Sequence, residues 1–390
     1  MVYSRLLAIT INEGKEVIMQ TLFLKSENKE DMIKAAAIIK DGGLVAFPTE
    51  TVYGLGADAL DEEASAKIYS AKGRPSDNPL IVHIAETAAV ENLASEVPDK
   101  AKTLMEAFWP GPLTIILKKK TCVPDTTTGG LQTVAIRMPS HPAALELIRK
   151  SGCYIAAPSA NTSGRPSPTT AEHVAEDMTG RIDAIIDGGP VGIGIESTIV
   201  DLSEGIPTIL RPGFITKKML EDMIGEVKID PALENPDSTA RPKAPGMRYT
   251  HYAPKGELTI VESSIKSGGE LYDDYRMLDD IPDPSGGSAP STASVINAIN
   301  DIASNALIDG HRVAILTTEE NADCFEAGHV ITVGSASDGG TVAARLYAAL
   351  RECDAYGADI ILSEAFAGTD LSGAIMNRLI KAAGHRVIMV

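Results

Sequence analysis

The chain has 390 residues and a formal net charge of −18, with 44% hydrophobic, 23% charged and only 4% aromatic residues. That composition excludes a disordered chain, and no apolar run approaches the roughly 18 residues that a membrane span needs. Residues 257–390 hold 20 acidic against 8 basic side chains, so −12 of the charge sits in the last third, which sets the chain against tight binding of a phosphate backbone.

At about 150 residues per domain the length suits two or three domains. Residues 1–18 read as an N-terminal extension, with Met19-Gln20-Thr21-Leu22-Phe23-Leu24 leading straight into the first helix. Residues 6–11 are too short for a signal-peptide core and are followed by Glu13, Lys15 and Glu16, so a cytoplasmic protein is expected. Helical spacing over 29–41 stops at Gly42-Gly43, a C-terminal signal. The apolar run 44–47, ending at Pro48, predicts a buried strand. Helices then follow over 62–71, 86–94, 99–108, 142–150, 171–178 and 216–224. Strands interleave with them over 80–84, 113–117, 134–138, 154–157, 184–186, 197–202 and 208–211, with a Thr/Gly-rich loop at 126–130. The alternation predicts a mixed α/β sheet over 19–229.

Five prolines fall between residues 230 and 255 (Pro231, Pro236, Pro242, Pro245, Pro254) without a periodic apolar stripe, so this stretch reads as a linker. It carries Arg241, Lys243, Arg248 and His251. From 256 to 390 the pattern resumes, with strands at 258–261, 313–317, 330–333, 360–362 and 387–390. Helices are expected at 292–307, 341–355 and 371–383. This spacing predicts a smaller, Rossmann-like parallel-sheet domain, interrupted by a Ser/Pro/Gly-rich loop at 282–291.

Cys122, Cys153, Cys324 and Cys353 are far apart and form no C-x-x-C pair, so no zinc or redox centre is expected. The Walker pattern G-x-x-x-x-G-K-[ST] is absent, which removes a P-loop site. Several polar loops instead stand where strands begin or end. In Phe47-Pro48-Thr49-Glu50-Thr51-Val52-Tyr53-Gly54-Leu55-Gly56, hydroxyls and a carboxylate precede two glycines that permit close backbone approach to a ligand. Glu50 reads equally well as a cap or an exposed charge. Lys72-Gly73-Arg74-Pro75-Ser76-Asp77-Asn78-Pro79 offers a compact cation and a planar guanidinium on a stiffened loop, a pairing suited to phosphate or carboxylate. His83 lies on the strand beyond it, where a packed core histidine is the ordinary reading. Ala157-Pro158-Ser159-Ala160-Asn161-Thr162-Ser163-Gly164-Arg165-Pro166-Ser167-Pro168 supplies small donors of the kind that wrap a phosphate. Thr133, Arg137, Ser197 and Arg211 add hydroxyls and cations. Taken singly, each loop suits a surface turn as well as a ligand site.

Taken together, in this order and spacing, the set closely resembles the threonylcarbamoyl-AMP synthase family with its YrdC-like catalytic domain. The resemblance rests on P-T-E-T-V-Y-G-L, K-x-R-P-x-x-x-P-L, W-P-G-P-L-T from Trp109, R-x-P from Arg137, P-S-A-N and E-S-T-I-V. The stretch from Ala244 to Pro254 is similar to the long, two-domain branch. The resemblance implies condensation of L-threonine, bicarbonate and ATP, with Mg²⁺ on the phosphates, into threonylcarbamoyl-adenylate and pyrophosphate. The adenylate would pass to a separate transferase complex that modifies tRNA beside the anticodon, with little or no tRNA binding by this chain. Carried over by motif, Thr51, His83, Arg137, Ala157 and Ser197 would hold threonine. Arg74, Asn78, Thr133, Ser159, Ser167, Arg211 and Tyr252 would hold ATP, and Lys72, Arg74, Ser159 and Asn161 would form the reaction centre. No metal ligands are singled out. A related domain serves carbamoyl transfer in hydrogenase maturation, but those proteins carry paired-Cys zinc motifs that this chain lacks. Tyr252 falls in the linker, so the linker is expected to fold over the nucleotide as a lid.

Overall fold

The computed structural model describes residues 19–233, 243–245, 252–263 and 293–390. The extension 1–18, the linker residues Arg241, Arg248 and His251, and the stretch 282–291 lie outside the described residues. A first sheet is built from strands β1 (Leu22–Lys25), β2 (Val45–Phe47), β3 (Gly54–Asp58), β4 (Ile81–His83), β5 (Leu113–Lys118) and β6 (Thr133–Arg137). Strands β7 (Ile155–Ala157), β8 (Ala184–Asp187), β9 (Thr198–Asp201), β10 (Thr208–Arg211) and β11 (Lys228–Ile229) complete it. Their order across the sheet is β1-β8-β2-β3-β7-β4-β6-β5-β9-β10-β11. Parallel pairs such as β4–β6 and β5–β9 sit beside antiparallel ones such as β2–β3, β4–β7 and β5–β6, so the sheet is mixed, as the alternating pattern predicts.

Side chains alternate between the faces of a strand, and the core follows that alternation. Leu44 and Ala46 join one apolar cluster with Ile68, Leu104 and Val174 of the helices Glu62–Lys72, Asp99–Phe108 and Ala171–Met178. Val45 and Phe47 join the opposite cluster with Met32, Ile39 and Leu147 of the helices Lys29–Lys40 and Pro142–Ser151. Because these strands are covered on both faces, they read as continuous apolar runs.

The second sheet contains β12 (Glu257–Glu262), β13 (Val313–Thr317), β14 (His329–Thr332), β15 (Ile360–Glu364) and β16 (Val387–Met389), in the order β14-β13-β15-β12-β16. All of its pairings are parallel. Val295, Ile299 and Ala303 of the helix Ala293–Ile308 cover one face. The helices Gly339–Tyr356 and Ser372–Ala382 cover the other. That second apolar cluster also takes in Val52, Ile195 and Tyr252, so loops of the first sheet and the linker share a core with the second. Among the described residues no helix is long and apolar enough to cross a membrane.

Several expectations need correction. Residues 22–25 form an edge strand paired with β8, so the first helix is not entered directly. Residues 54–56, the end of the loop read over 47–56, open strand β3 (Gly54–Asp58), held between β2 and β7. The helix expected at 86–94 is a 3-10 turn, Thr87–Ala89, followed by one α-turn, Val90–Leu93. The loop at 126–130 contains the short helix Asp125–Thr128, and Lys228–Ile229 adds a short edge strand.

Gly194 packs against the helix Gly339–Tyr356 of the second sheet. Its φ is +83°, and a Cβ there would lie 2.3 Å from the Ala343 carbonyl oxygen and 2.4 Å from Ala344 Cα. Both are backbone atoms of the helix Gly339–Tyr356 and cannot swing aside. Gly194→Ala combines a strained φ with an overpacked contact, each worth roughly 1–3 kcal/mol. Urea unfolding is expected to show a loss of about 2 kcal/mol or more. A loss below about 0.5 kcal/mol, the range of an ordinary surface substitution, would contradict this account of the contact.

Candidate active site

A single cavity is lined by Thr49, Thr51, Lys72, Arg74, His83, Arg137, Ala157, Ser159, Asn161, Glu196, Arg211 and Tyr252, among others. Each wall of it has a local cause. The helix Glu62–Lys72 starts on Asp61, whose carboxylate accepts from Glu63 N and Ala64 N. It stops at Gly73, which adopts φ 61°. Lys72 is therefore the last helical residue, and its buried Nζ donates to Ser159 O at 2.5 Å and to Asn161 O. Lys72 thus ties its own loop to the P-S-A-N loop. Ser159 Oγ donates to Asn161 Oδ1 at 2.5 Å, and Asn161 Nδ2 reaches Thr162 O and Arg165 O, both at 2.8 Å. Two of the three ammonium donors are spent on carbonyls and one remains. Burial, and after it Arg74, lowers the Lys72 pKa well below the ordinary lysine value. An arriving anion offsets that loss of solvation and favours the charged form.

Arg74 Nη2 donates to Pro79 O at 3.2 Å and Asn78 O at 3.4 Å, while its buried Nε and the neighbouring Asn78 Oδ1 have no partner. Orphaned buried polar atoms are costly in a native structure; one belongs to the cavity-lining Arg74 and the other to Asn78, whose carbonyl Arg74 bonds. Burial also brings the guanidinium pKa down to about 10.

His83 and Arg137 are register partners on β4 and β6. His83 Nδ1 lies 3.1 Å from Ile81 O and 3.3 Å from Ile155 O. Two carbonyl oxygens can be satisfied only by a proton on that nitrogen, which leaves Nε2 an acceptor. Burial and then Arg137 depress the imidazole pKa to about 3. Arg137 is buried and donates from Nη2 to Glu50 at 2.6 Å, from Nη1 to Thr51 Oγ1 at 3.0 Å and from Nε to Gly111 O at 3.3 Å. Three of its five N–H groups are occupied and two remain. Burial by itself would raise the Glu50 pKa, but the charge and hydrogen bond of Arg137, with the Glu50 and Ser140 backbone, bring it below the ordinary value. Thr49 Oγ1 donates to Val52 O at 2.6 Å and lies 2.9 Å from Thr51 Oγ1. These bonds fix the turn that points Glu50 at Arg137.

On the far wall Arg211 donates to Ser197 O (3.1 Å), Ser197 Oγ (3.2 Å) and Pro245 O (3.3 Å). Pro245 and Tyr252 bring the linker to the cavity. The Tyr252 ring packs on Tyr347 with centroids 5.1 Å apart.

Ten of the expected site residues line the cavity: Thr51, Lys72, Arg74, His83, Arg137, Ala157, Ser159, Asn161, Arg211 and Tyr252. Ser197 supports Arg211 and bonds Thr114 at 2.8 Å. Asn78 lies under Arg74, and Ser167 donates to Glu196 at 2.6 Å. Thr133 is four residues along β6 from Arg137, roughly 13 Å away on the same face. Glu196 is not among the expected site residues, and Glu50 reads in sequence as a cap or an exposed charge; both line or face the cavity through arginines. E-S-T-I-V and P-T-E-T both display these carboxylates, but no periodicity says that they face an arginine. Among the described residues no group of three or more His, Cys, Asp or Glu could hold a metal ion.

The cavity and its two-sheet frame define an α/β protein with four buried cations, Lys72, Arg74, Arg137 and Arg211, gathered around one pocket. Residues 37–213 match the family model described as telomere recombination (Sua5, YciO and YrdC). Residues 215–384 match the one described as threonylcarbamoyl-AMP synthase, C-terminal domain. The threonylcarbamoyl-AMP synthase of Bacillus subtilis is 49% identical over 367 residues, 93% of this chain and 96% of that protein. That of Pyrococcus abyssi is 45% identical over 356 residues, 91% and 95% of the two chains. The crystal structure of P. abyssi Sua5 complexed with L-threonine superposes with a TM-score of 0.83 at 43% identity, over 95% of this chain and 99% of that one. The chain belongs to the threonylcarbamoyl-AMP synthase family and is a nucleotidyl-transferring enzyme.

The depressed His83 pKa has a sign that can be checked. The unfolded imidazole gains its proton near pH 6.5 and the folded one near pH 3. Its contribution to stability is therefore complete above 6.5 and is lost as pH falls from 6.5 towards 3, by at most about 1.4 kcal/mol per pH unit. Ring ¹⁵N shifts at pH 5 are expected to show a neutral imidazole protonated on Nδ1. A positively charged ring at that pH would contradict the placement of His83.

Proposed function

We propose that this cavity carries out the family reaction with a definite division of labour. The family condenses L-threonine, bicarbonate and ATP to threonylcarbamoyl-AMP, pyrophosphate and water, and the adenylate supplies the threonylcarbamoyladenosine modification of tRNA. One observation carries the proposal: Lys72, Arg74, Arg137 and Arg211 converge on one cavity in a chain whose net charge is −18. Such a site fits reactants that are all anionic.

The Thr51–His83–Arg137 wall holds threonine, the amino acid with which the P. abyssi relative was crystallised. The two free N–H groups of Arg137 take the carboxylate, and His83 Nε2 accepts from the side-chain hydroxyl. A site that hydrogen-bonds a hydroxyl rejects analogues lacking it, because the buried partner is left unpaired. Ala157 meets the amino acid through its backbone, and Ser197 braces the opposite wall. The amine nitrogen takes up the carbon of bicarbonate with loss of water. A carbamate oxygen then bonds to the α-phosphorus as the bond to the β-phosphate oxygen breaks, and pyrophosphate departs with that electron pair. Lys72 and Arg74 lie where two anions must meet, and their contribution is positioning and charge stabilisation. Ser159 and Asn161 fix the Lys72 ammonium. Arg211, Ser167, Asn78 and Thr133 lie along the path of the nucleotide, and Pro245 and Tyr252 cover it as a lid.

Mg²⁺ enters on the ATP phosphates. The carboxylates beside the cavity, Glu50 and Glu196, are already held by arginines, and Mg²⁺ in such sites commonly relies on substrate phosphates. We further propose a division into a catalytic domain (19–229), a linker and lid (230–255) and a Rossmann-like domain (256–390). In this reading the chain works in the cytoplasm, releases its adenylate to a separate transferase complex, and does not itself hold tRNA, since its charge opposes a phosphate backbone.

Incubation with threonine, bicarbonate and MgATP is expected to yield threonylcarbamoyl-AMP by mass spectrometry. Its absence alongside ATP turnover would refute the assignment. Lys72→Ala and Arg74→Ala are each expected to reduce threonine-dependent pyrophosphate release by on the order of 10²-fold, the scale of losing one charge-stabilising donor. Near-normal turnover in both variants would remove the reaction centre from this cavity.

A further inference from the structure

Glu196 and Arg211 border the same cavity and their charges act on each other, yet the carboxylate makes no hydrogen bond or ion pair with the guanidinium. Every nitrogen of Arg211 has a neutral acceptor: Ser197 O, Ser197 Oγ or Pro245 O. Glu196 is held from the other side. Ser167 Oγ donates to it at 2.6 Å, Tyr347 OH at 2.9 Å and Arg378 Nε at 3.2 Å. Arg378 is fully buried and comes from the helix Ser372–Ala382 on the second sheet. It is itself fixed by Pro212 O and by Glu196 O at 3.3 Å. Tyr347, from the helix Gly339–Tyr356, also packs on Tyr252.

A buried carboxylate without a partner is strongly unfavourable and pairs with the nearest available cation. We propose that Arg378 is a positioning residue for nucleotide binding: by holding Glu196, it keeps the charge of Arg211 free for the phosphates of ATP. Tyr347 assists by donating to the same carboxylate. On this account, removing Arg378 lets Glu196 capture Arg211 and close the nucleotide side, while the threonine side, which has its own Glu50–Arg137 pair, is untouched. The inference rests on the assignment of Arg211 to the nucleotide given above.

The test uses the full-length chain and measures MgATP binding by calorimetry without threonine, beside KM for each substrate and thermal unfolding. Arg378→Met is expected to weaken MgATP binding and raise its KM by about tenfold or more, the effect of losing one charged contact, with KM for threonine within about threefold. The pair E196Q/R378M removes the stranded carboxylate and is expected to recover at least about fivefold in ATP affinity over R378M, a coupling that separated sites do not show. A purely structural role for Arg378 would lower thermal stability and shift both KM values alike, with no recovery in the pair; that pattern overturns the proposal, as does unchanged ATP affinity in R378M. If R378M does not fold, Tyr347→Phe tests the same point, since it removes a donor to the carboxylate and keeps the ring. ATP affinity is then expected to fall severalfold with threonine KM steady, and equal effects on both substrates, or none, overturn the idea. Failure of the unmodified chain to release pyrophosphate with threonine would strike the proposed function instead, and the calorimetry would still report on Arg378.

Discussion

Placing Lys72, Arg74, Arg137 and Arg211 around one cavity removes four cations from water, and each loses several kcal/mol of solvation that internal partners or an anionic ligand must replace. The surrounding architecture reads as a set of answers to that cost. Lys72 is given two carbonyl oxygens, from Ser159 and Asn161, which are dipoles and leave its charge intact. Arg211 is likewise given only neutral oxygens. Arg74 receives two carbonyls and keeps an unpartnered Nε. Arg137 alone of the four receives a full carboxylate, at 2.6 Å. The cations nearest the proposed phosphate path therefore have no carboxylate hydrogen-bonded to them, while the one assigned to a single carboxylate is tempered by Glu50. Electrostatic stabilisation of this kind is effective because the groups are fixed before the reactants arrive.

The second sheet reaches the chemistry by the same logic. Arg351 donates to Pro166 O at 2.6 Å and to Asp177 at 2.9 Å, and Arg165 bridges Asp177 at 2.6 Å and Asp354 at 3.1 Å. The P-S-A-N loop, which presents Ser159 and Asn161, is thus clamped from behind by the helix Gly339–Tyr356. Lys255 N donates to Asp354 at 2.6 Å and Ala253 N to Gly164 O at 2.8 Å, so the end of the linker is fastened to the same loop. A loop of small residues has little apolar area of its own to order it, and ion pairs from a neighbouring unit supply what its composition lacks.

Much of this was legible in the sequence, for reasons that are local. Lys72 at a helix end before a glycine, His83 and Arg137 on short apolar strands, and the hydroxyl-rich loops all depend on residues within a few positions of one another. The apolar run 44–47 marks a buried strand, and the interleaving of helices with strands points to the mixed sheet and the smaller parallel one. Strand β3 was hidden because Gly54-Leu55-Gly56-Ala57-Asp58 has poor intrinsic strand preference; it is a strand because β2 and β7 hydrogen-bond it from both sides. β1 was hidden because four residues beside a helix carry too little pattern. The contacts of Glu196 with Tyr347 and Arg378 join positions 151 and 182 residues apart, and no spacing rule reaches across such a gap.

Those distant contacts decide how the two halves of the cavity differ. On the proposed threonine side, Glu50 and Arg137 pair with each other from neighbouring loops and strands of the first sheet and require nothing from residues beyond 229. On the proposed nucleotide side, the Glu196 carboxylate that Ser167 bonds is held from the second sheet by Tyr347 and Arg378. A buried ion pair adds little net stability compared with apolar packing, so Glu196–Arg378 is a weak choice if its purpose is to glue two sheets together, particularly where Val52, Ile195 and Tyr252 already provide a shared apolar core. It is a strong choice if its purpose is to assign a carboxylate to one arginine and away from another. On that proposal the pair makes the cavity's ability to hold a polyanion depend on the second sheet being in place, and couples a distant helix to the proposed nucleotide side without that helix lining the cavity.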